Sequence, residues 1–178
     1  MTPALTALAA DLHAAAHLTG TFTLRSGATA SEYFDKYRME SDPALLDRVA
    51  TAMAPLVPAR TQALAGLELG GVPLAVALSR LTGVPARFVR KEAKTYGTAN
   101  LAEGGDVDGV ALTVVEDVVT SGGQVLASVA DLRARGAVVD TVVCVVDREA
   151  GGRQAMAADD LELRPLLTLA DLTAAATA

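Results

Sequence analysis

The sequence predicts an α/β protein with a mostly parallel central sheet flanked by helices. Valine-rich runs without polar alternation, such as TVVCVV at 141–146, are typical of strands that are covered on both faces. From residue 63 onward such runs alternate with helical segments, which is the pattern of parallel strands joined by crossover helices. The chain has 178 residues, of which 51% are hydrophobic, so one domain with a sizeable core is expected.

The first 60 residues predict two helices separated by extended segments. Leu5, Leu8 and Leu12 recur at helical spacing, which predicts an opening helix over 3–17. Extended segments are expected at 21–24 and 33–39. The pair Asp42-Pro43 places a capping side chain before a proline at the first helical position, so a helix is expected to run from there towards Leu56.

The remaining chain predicts alternating strands and helices. Strands are expected at 63–67, 86–90, 110–115, 138–146 and 163–167, and helices at 73–81 and 124–135, with short helices after Gly152 and Thr168. Ligands of such sheets bind at the carboxyl ends of the strands. Glu116, Asp147 and Gly70 all follow predicted strand ends and are therefore expected to share one crevice.

Charge and composition exclude several classes of partner. The formal net charge of −6 argues against nucleic acid, which selects basic faces. The uncharged stretch 118–130 is far shorter than the ~20 apolar residues that cross a bilayer, and no basic signal region opens the chain. The single cysteine, Cys144, lies in an apolar run and is expected to be a buried small hydrophobe. We therefore expect a cytoplasmic protein without a membrane partner.

The segment VVEDVVTSGGQV at 114–125 carries the strongest functional signal. A strand is followed by the turn Thr120-Ser121-Gly122-Gly123 and then by a helix, so glycine backbone and unpaired helix amides can surround a phosphate. No lysine follows Gly123, which excludes a P-loop of the nucleotide-binding kind. No G-x-G-x-x-G opens a helix after a strand, so dinucleotide binding has no support either. The alternative is a glycine-rich turn without a ligand.

Two acids next to this turn indicate what the phosphate belongs to. Glu116 and Asp117 would repel a bare phosphate but would hydrogen-bond well to sugar hydroxyls. The combination predicts a phosphorylated sugar, with its phosphate on the turn and its hydroxyls on the acids.

This segment resembles the signature of the type I phosphoribosyltransferases. Three further segments, FTLRSGATASEYFDKYR at 22–38, RKEAKTYG at 90–97 and VVDREAGG at 145–152, narrow the resemblance to the orotate phosphoribosyltransferase family. The resemblance implies the type I phosphoribosyltransferase fold over a single domain 1–178, with a small N-terminal hood at about 1–41 and a core at about 42–178. It also implies transfer of the phosphoribosyl group of 5-phosphoribosyl-1-diphosphate (PRPP) to orotate, with Mg²⁺ held mainly by substrate and water.

The resemblance assigns roles to particular residues. Lys94, Lys91 and Asp117 are the expected catalytic residues. The expected PRPP contacts are Arg25, Arg90, Lys91, Lys94, Tyr96, Glu116, Asp117, Val118, Val119, Thr120, Ser121, Gly122, Gly123 and Gln124. The expected orotate contacts are Tyr33, Phe34, Thr120 and Arg148. No protein side chain is expected to bind the metal directly.

The segment at 87–97 is strongly basic in an otherwise acidic chain. Two of the three lysines of the chain, Lys91 and Lys94, lie there with Arg87 and Arg90, and about fifteen residues of little regular pattern follow. Such a loop is often a lid, and its cations suit a departing diphosphate; the alternative is a solvated charged turn. By resemblance the loop is shared across a homodimer, with Arg90 and Lys94 acting on one chain and Lys91 reaching across.

Some positions leave alternatives open. Arg148 is a candidate for gripping the orotate carboxylate, or else a surface partner of Glu149. Arg25, Gly70 and Tyr96 stand where the family often has lysine, lysine and histidine, which puts the diphosphate contacts in doubt. Rival functions are a phosphoribosyltransferase for another base, such as a purine, and a PRPP-sensing transcriptional regulator on the same fold.

Overall fold

The computed structural model describes residues 1–23, 27, 29–92 and 101–177. The helices are α1 (Pro3–Ala16), α2 (Lys36–Ser41), α3 (Pro43–Met53), α4 (Gly71–Thr82), α5 (Gly123–Arg133), α6 (Gly152–Ala157) and α7 (Leu169–Ala176), with a short 3-10 helix at Ala54–Leu56. The strands are β1 (His17–Thr23), β2 (Thr29–Phe34), β3 (Ala63–Leu67), β4 (Ala86–Val89), β5 (Ala102–Glu103), β6 (Ala111–Val119), β7 (Val138–Asp147) and β8 (Glu162–Thr168).

The main sheet has the order β5-β4-β3-β6-β7-β8, and its pairs are parallel except for β4 with β5. β1 and β2 form a separate antiparallel pair. The predicted mostly parallel α/β sheet is therefore confirmed. The strand order reverses next to β3 and β6, so the ends of these two strands border the crevice in which such sheets bind ligands.

The core lies on both faces of the main sheet. On one face, Leu12, Met53 and Leu78 from α1, α3 and α4 pack with Val115 and Val143. On the other face, residues of α5 and α6 pack against the same strands, among them Val129, Leu132 and Met156. Burial of each such side chain stabilises the fold by roughly 1.5–3 kcal/mol. Cys144 is buried in this second layer, as predicted, and its burial raises the pKa of its thiol.

The structure corrects the sequence-based expectations at three places. The prediction of extended chain over 33–39 is correct for 33–34, which end β2, and wrong from 36 onward, because Asp35 caps a helix there by accepting a hydrogen bond from the Tyr37 amide at 3.2 Å. β6 does not end at 115 but continues to Val119, since its partner β7 extends to Asp147 and pairs with it to the end. Glu116 and Asp147 therefore lie within the last residues of strands. The short strand β5 falls in a segment predicted to be irregular.

Candidate active site

The acidic pair lies near the carboxyl end of β6, with its two side chains in different surroundings. Glu116 lines a cavity of about 170 Å³ together with residues 118–125. Its Oε2 is buried and has no hydrogen-bond partner among the described residues. Asp117 has no exposed surface at all. Neighbouring strand residues point to opposite faces of a sheet, so the two acids cannot have the same environment.

The cavity next to Glu116 is enclosed by the turn that the sequence marks as a phosphate site. Gly122 has a φ of +80°, which glycine adopts without strain, and α5 begins at the next residue. The N-terminal amides of α5 therefore face this cavity, the arrangement that favours an anion. The structure brings together the predicted phosphate residues Val118, Val119, Thr120, Ser121, Gly122, Gly123 and Gln124, all of which line it.

The residues that follow β7 pack directly against the phosphate turn. A Cβ atom added to Gly152 would lie 2.5 Å from the Thr120 carbonyl oxygen and 2.7 Å from Val119 Cγ1. The Arg148 amide also donates a hydrogen bond to the Val119 carbonyl, at 2.8 Å. The phosphate turn and the segment 147–152 are therefore in direct contact. Sequence reasoning did not assign Gly152 a role, although the pair Gly151-Gly152 was a signal of close backbone approach.

Asp117 is held by a residue to which the sequence assigned no role. The Lys36 ammonium, in the first turn of α2, lies 3.0 Å from Asp117 Oδ1 and 2.7 Å from Oδ2. The amide of Val118 also donates a hydrogen bond to Oδ1, at 2.5 Å. Burial by itself would lower the pKa of Lys36, but the hydrogen bond and charge of Asp117 raise it on balance. The predicted contact of Asp117 with the sugar stays a prediction.

Glu40 and Gly70 complete the surroundings of Asp117. Glu40, one helical turn after Lys36, is 8% exposed, and its Oε1 would lie 2.8 Å from a Cβ atom added to Gly70. The same added atom would overlap Asp117 Oδ2. Burial, followed by the hydrogen bond and negative charge of Asp117, raises the pKa of Glu40 to about 8. The peptide bond between Glu68 and Leu69, just before this glycine, is cis.

Glu116 also has a strongly shifted pKa. Burial is the larger cause and the charge of Asp117 the second, and together they raise the pKa of Glu116 to about 8. The positive charges of Lys36 and Lys91 act in the opposite direction. The crevice therefore holds one ion pair, Lys36 with Asp117, beside two carboxyl groups whose raised pKa values favour the protonated form.

A second, apolar pocket adjoins the phosphate cavity. Phe34 and Arg148 line it together with Val118, Val146, Leu169 and Leu172. Arg148 is exposed and forms no ion pair with any described residue, and Glu149 instead accepts a hydrogen bond from the Ala170 amide at 3.1 Å. Two of the predicted orotate residues thus meet in one pocket. Tyr33 does not join them: it is 46% exposed and stacks on Phe22 of β1, with ring centroids 5.5 Å apart.

The described part of the basic segment lies beside the same crevice. Lys91 is exposed, and its amide donates a hydrogen bond to Glu68 Oε1 at 2.6 Å. Arg90 Nε lies 3.5 Å from Glu103 Oε1. The positive charge of Lys91 also acts on the pKa of Glu116 within a single chain. Its expected reach into a neighbouring subunit stays a prediction. The predicted contacts Arg25, Lys94 and Tyr96 lie outside the described residues.

Other surfaces show less relation to this chemistry. A larger groove of about 530 Å³ lies between α1 and α3 and contains none of the predicted site residues. In the described part of the chain, no helix is both long enough and apolar enough to span a bilayer.

A parallel sheet with a phosphate turn, an acidic pair and an adjoining apolar pocket defines the class of type I phosphoribosyltransferases. Comparisons with known proteins narrow it further. A scan of protein-family models finds no match. The chain is 57% identical over 168 residues to the orotate phosphoribosyltransferase of Nocardioides sp., covering 94% of each protein. It is 46% identical to the orotate phosphoribosyltransferase of Halobacterium salinarum, over 86% of this chain and 87% of that protein. The chain belongs to the orotate phosphoribosyltransferase family.

Solved structures agree with this assignment. Mycobacterium tuberculosis orotate phosphoribosyltransferase superposes with a TM-score of 0.85 at 34% identity, over 96% of this chain and 99% of that one. The same enzyme solved in complex with PRPP gives a TM-score of 0.80 at 31% identity, over 96% and 99% of the two chains. Adenine phosphoribosyltransferase of Leishmania donovani, at 15% identity and a TM-score of 0.70, covers 93% of this chain and 81% of that one and shares the fold alone. The fold by itself therefore does not determine the base.

Proposed function

We propose that this protein transfers the phosphoribosyl group of PRPP to orotate, forming orotidine 5′-phosphate and diphosphate. The observation that carries the proposal is the position of Val118, which lines both the phosphate cavity and the pocket of Phe34 and Arg148. A sugar phosphate in the first cavity and a base in the second would therefore be neighbours. Transfer needs this adjacency, because a ring nitrogen of the base must reach the anomeric carbon.

The residues of the crevice suit each part of the two substrates. The turn 118–124 would bind the 5-phosphate, and the buried, unpartnered Oε2 of Glu116 would accept a ribose hydroxyl. Arg148 would grip the orotate carboxylate with parallel hydrogen bonds, and Phe34 would cover the ring. Arg90 and Lys91, with Arg25, Lys94 and Tyr96, would contact the diphosphate.

The reaction needs no covalent intermediate with the protein. The bond from the anomeric carbon to the diphosphate oxygen breaks, and its electron pair leaves with the diphosphate. The ring nitrogen of orotate supplies the pair for the new bond, and the proton that it carried passes to water or to the departing diphosphate. Positive charge grows on the sugar and negative charge on the leaving group, so Lys91 and Lys94 would stabilise the departing diphosphate.

The residues of the crevice also fit a magnesium ion that arrives with the substrate. Mg²⁺ prefers oxygen ligands and keeps several waters, and Asp117 is occupied by Lys36. Glu116 has an oxygen without a partner among the described residues, but its raised pKa favours the protonated form, which is a poor metal ligand. Protein ligands for the ion are therefore scarce. Diphosphate oxygens and water would hold it, and the ion would neutralise charge on the leaving group.

We further propose a cytoplasmic homodimer whose basic loops complete the neighbouring sites.

The decisive experiment follows the absorbance of orotate after mixing with PRPP and Mg²⁺, with adenine, hypoxanthine and uracil tested in parallel. Loss of orotate absorbance, with the other bases unchanged, is the expected result. Lys94→Ala should reduce turnover by orders of magnitude while the affinity for PRPP changes little, since a charge that meets the leaving group acts mainly in the transition state. Transfer to a purine in place of orotate would refute the proposal.

A further inference from the structure

Glu149 follows Arg148 directly and has a backbone conformation that is unusual for its residue type. Its φ is +55°, and Asp160 is the other non-glycine residue with a positive φ among the described residues. The Cβ atom of an L-residue disfavours this left-handed region, and glutamate lacks the short polar side chain that makes it tolerable for asparagine and aspartate. A glutamate stays there only when the surrounding contacts hold it.

Two hydrogen bonds hold Glu149, one on its backbone and one on its side chain. Its amide donates to Asp147 Oδ1 at 2.9 Å, and Asp147, at the end of β7, is only 2% exposed. Its Oε2 accepts from the amide of Ala170, in the first turn of α7, at 3.1 Å. The segment 147–151, which carries Arg148, is therefore tied both to the end of β7 and to the helix that follows β8.

On the basis of the function proposed above, we infer that Glu149 is a positioning residue of the base pocket, which ties the segment 147–151 to α7 and keeps its own carboxylate away from the Arg148 guanidinium. Glu149 acts through Arg148 and does not touch the base. Its effect should therefore be confined to the substrate that Arg148 binds, which is the anionic base.

The bond to Ala170 also sets the dimensions of the base pocket. Leu169 and Leu172 of α7 line that pocket together with Arg148. Ala170 directly follows Leu169, so its bond to Glu149 fixes the distance between the Arg148 backbone and the apolar wall. Without this bond the segment that carries Arg148 could move away from α7, and the guanidinium would lose its fixed direction.

The helix α7 does not depend on Glu149 for its own start. Thr168 Oγ1 accepts a hydrogen bond from the Asp171 amide at 3.1 Å, and Asp171 Oδ2 accepts one from the Thr168 amide at 2.8 Å. This reciprocal capping box satisfies the first turn of the helix. Loss of the Glu149 side chain should therefore loosen the segment 147–151 and leave α7 folded.

The direction of the Glu149 carboxylate leaves the Arg148 guanidinium available to a ligand. A pair between these two neighbours would compete with the carboxylate of orotate for the same guanidinium. Arg148 forms no ion pair with any described residue, and the partial positive charge at the start of α7 attracts the Glu149 carboxylate instead. A glutamine at position 149 would keep the hydrogen bond through its amide oxygen, whereas alanine or glycine would lose it.

Steady-state kinetics of three variants tests the inference. Glu149→Ala and Glu149→Gly should raise the KM for orotate about fivefold, the effect of losing one hydrogen bond, and Glu149→Gln should stay within about twofold of the wild type. The KM for PRPP and kcat should hardly change, because contacts to a part of the base that does not react act on binding. Glycine adopts a positive φ without strain, so a loss in Glu149→Gly comes from the missing side chain. An unchanged KM for orotate in Glu149→Gly, or equal increases in both KM values, would overturn the inference.

A double variant separates action through Arg148 from an independent effect. Arg148→Ala removes the group that Glu149 positions, so Arg148→Ala/Glu149→Ala should have the same KM for orotate as Arg148→Ala alone. Increases in KM that multiply in the double variant would show that Glu149 acts by another route, and the inference would be wrong.

Asp160 provides the matched control for backbone strain. It has the same φ of +55°, is exposed and precedes β8, at the end of that strand opposite the crevice. Asp160→Gly should change the melting temperature and leave the KM for orotate as it is. If Glu149→Ala does not fold, Glu149→Gly decides the question. Wild-type protein that transfers nothing to orotate would refute the proposed function and with it this inference, whereas orotate transfer with a KM that Glu149→Gly leaves unchanged would refute this inference alone.

Discussion

Gly70 and Asp117 approach so closely that a methyl group on Gly70 would overlap Asp117 Oδ2. Gly70 lies in the turn after β3 as the N-cap of α4, and Asp117 is near the end of the adjacent parallel strand β6. The same methyl group would also lie 2.8 Å from Glu40 Oε1. The absence of a side chain at position 70 therefore allows the backbone to close over a buried acid.

Gly70→Ala should destabilise the protein by about 1–3 kcal/mol, because one of the two crowded groups must shift. A shifted Asp117 also loses its geometry with Lys36. Thermal unfolding measures the change. The matched control is Gly123→Ala, where an added Cβ meets nothing within 4 Å and the melting temperature should stay the same. Equal melting temperatures for both variants would contradict the packing described for Gly70.

The stability of the protein should fall as the pH rises from about 5 to about 8. Glu116 and Glu40 have ordinary pKa values of 4.5, and in the folded protein both are raised to about 8. Between these values the folded state binds more protons than the unfolded state, so their contribution is complete below pH 4.5 and is lost as the pH rises through about 8. One pKa unit corresponds to about 1.4 kcal/mol, so the expected loss for the pair is on the order of several kcal/mol.

Glu40→Gln isolates this effect. Glutamine stays neutral, so the variant should match the wild type within about 1 kcal/mol near pH 4.5 and exceed it in stability near pH 9. Chemical denaturation at the two pH values measures the difference. Glu162→Gln is the control, since the hydrogen bond from Arg164 lowers the pKa of Glu162 and predicts no gain at high pH. A stability difference for Glu40→Gln that is the same at both pH values would contradict the raised pKa.

The main sheet was predictable because each of its central strands is a continuous apolar run that can be recognised in the sequence by itself. Val142 to Val146 are buried on both faces, and a continuous apolar run has few other places in a folded chain. The phosphate turn was predictable for a similar reason, since the glycines, the acids and the helix start are consecutive in sequence. The end of β6 was not, because two acids usually stop a strand and only pairing with β7 carries it to Val119.

The contacts that organise the acids were not predictable from the sequence. Lys36 and Asp117 are 81 residues apart, and no local pattern links a helix start in the N-terminal segment to a strand in the core. The helix α2 was missed as well, since its six residues are too few for a periodic apolar face and its start depends on the Asp35 cap. The close approach of Gly152 was not predictable for the same reason, because the carbonyl that it approaches belongs to Thr120, about thirty residues earlier.

Arg148→Ala should raise the KM for orotate about 10-fold to 100-fold, the effect of losing hydrogen bonds to a charged group. The KM for PRPP should change far less, because Arg148 lines the apolar pocket and not the phosphate cavity. Steady-state kinetics with each substrate varied in turn measures both values. Arg135→Ala, at an exposed position just after α5 whose side chain bonds to Asp131, is the control and should change neither. Equal increases in both KM values would place Arg148 outside the base pocket.

Gly152→Ala should weaken ribose 5-phosphate binding about 10-fold, although Gly152 is not expected to touch the ligand. The added methyl would meet the Thr120 carbonyl at 2.5 Å and Val119 at 2.7 Å, so the phosphate turn would have to move, and such overpacking costs about 1–3 kcal/mol. Calorimetry with ribose 5-phosphate measures the loss. The neighbouring Gly151→Ala separates crowding from backbone strain: Gly151 has a φ of +91° with nothing within 4 Å of an added Cβ, so this variant should lower the melting temperature but preserve the affinity. Full affinity in Gly152→Ala would show that phosphate binding by the turn does not depend on its close contact with Gly152.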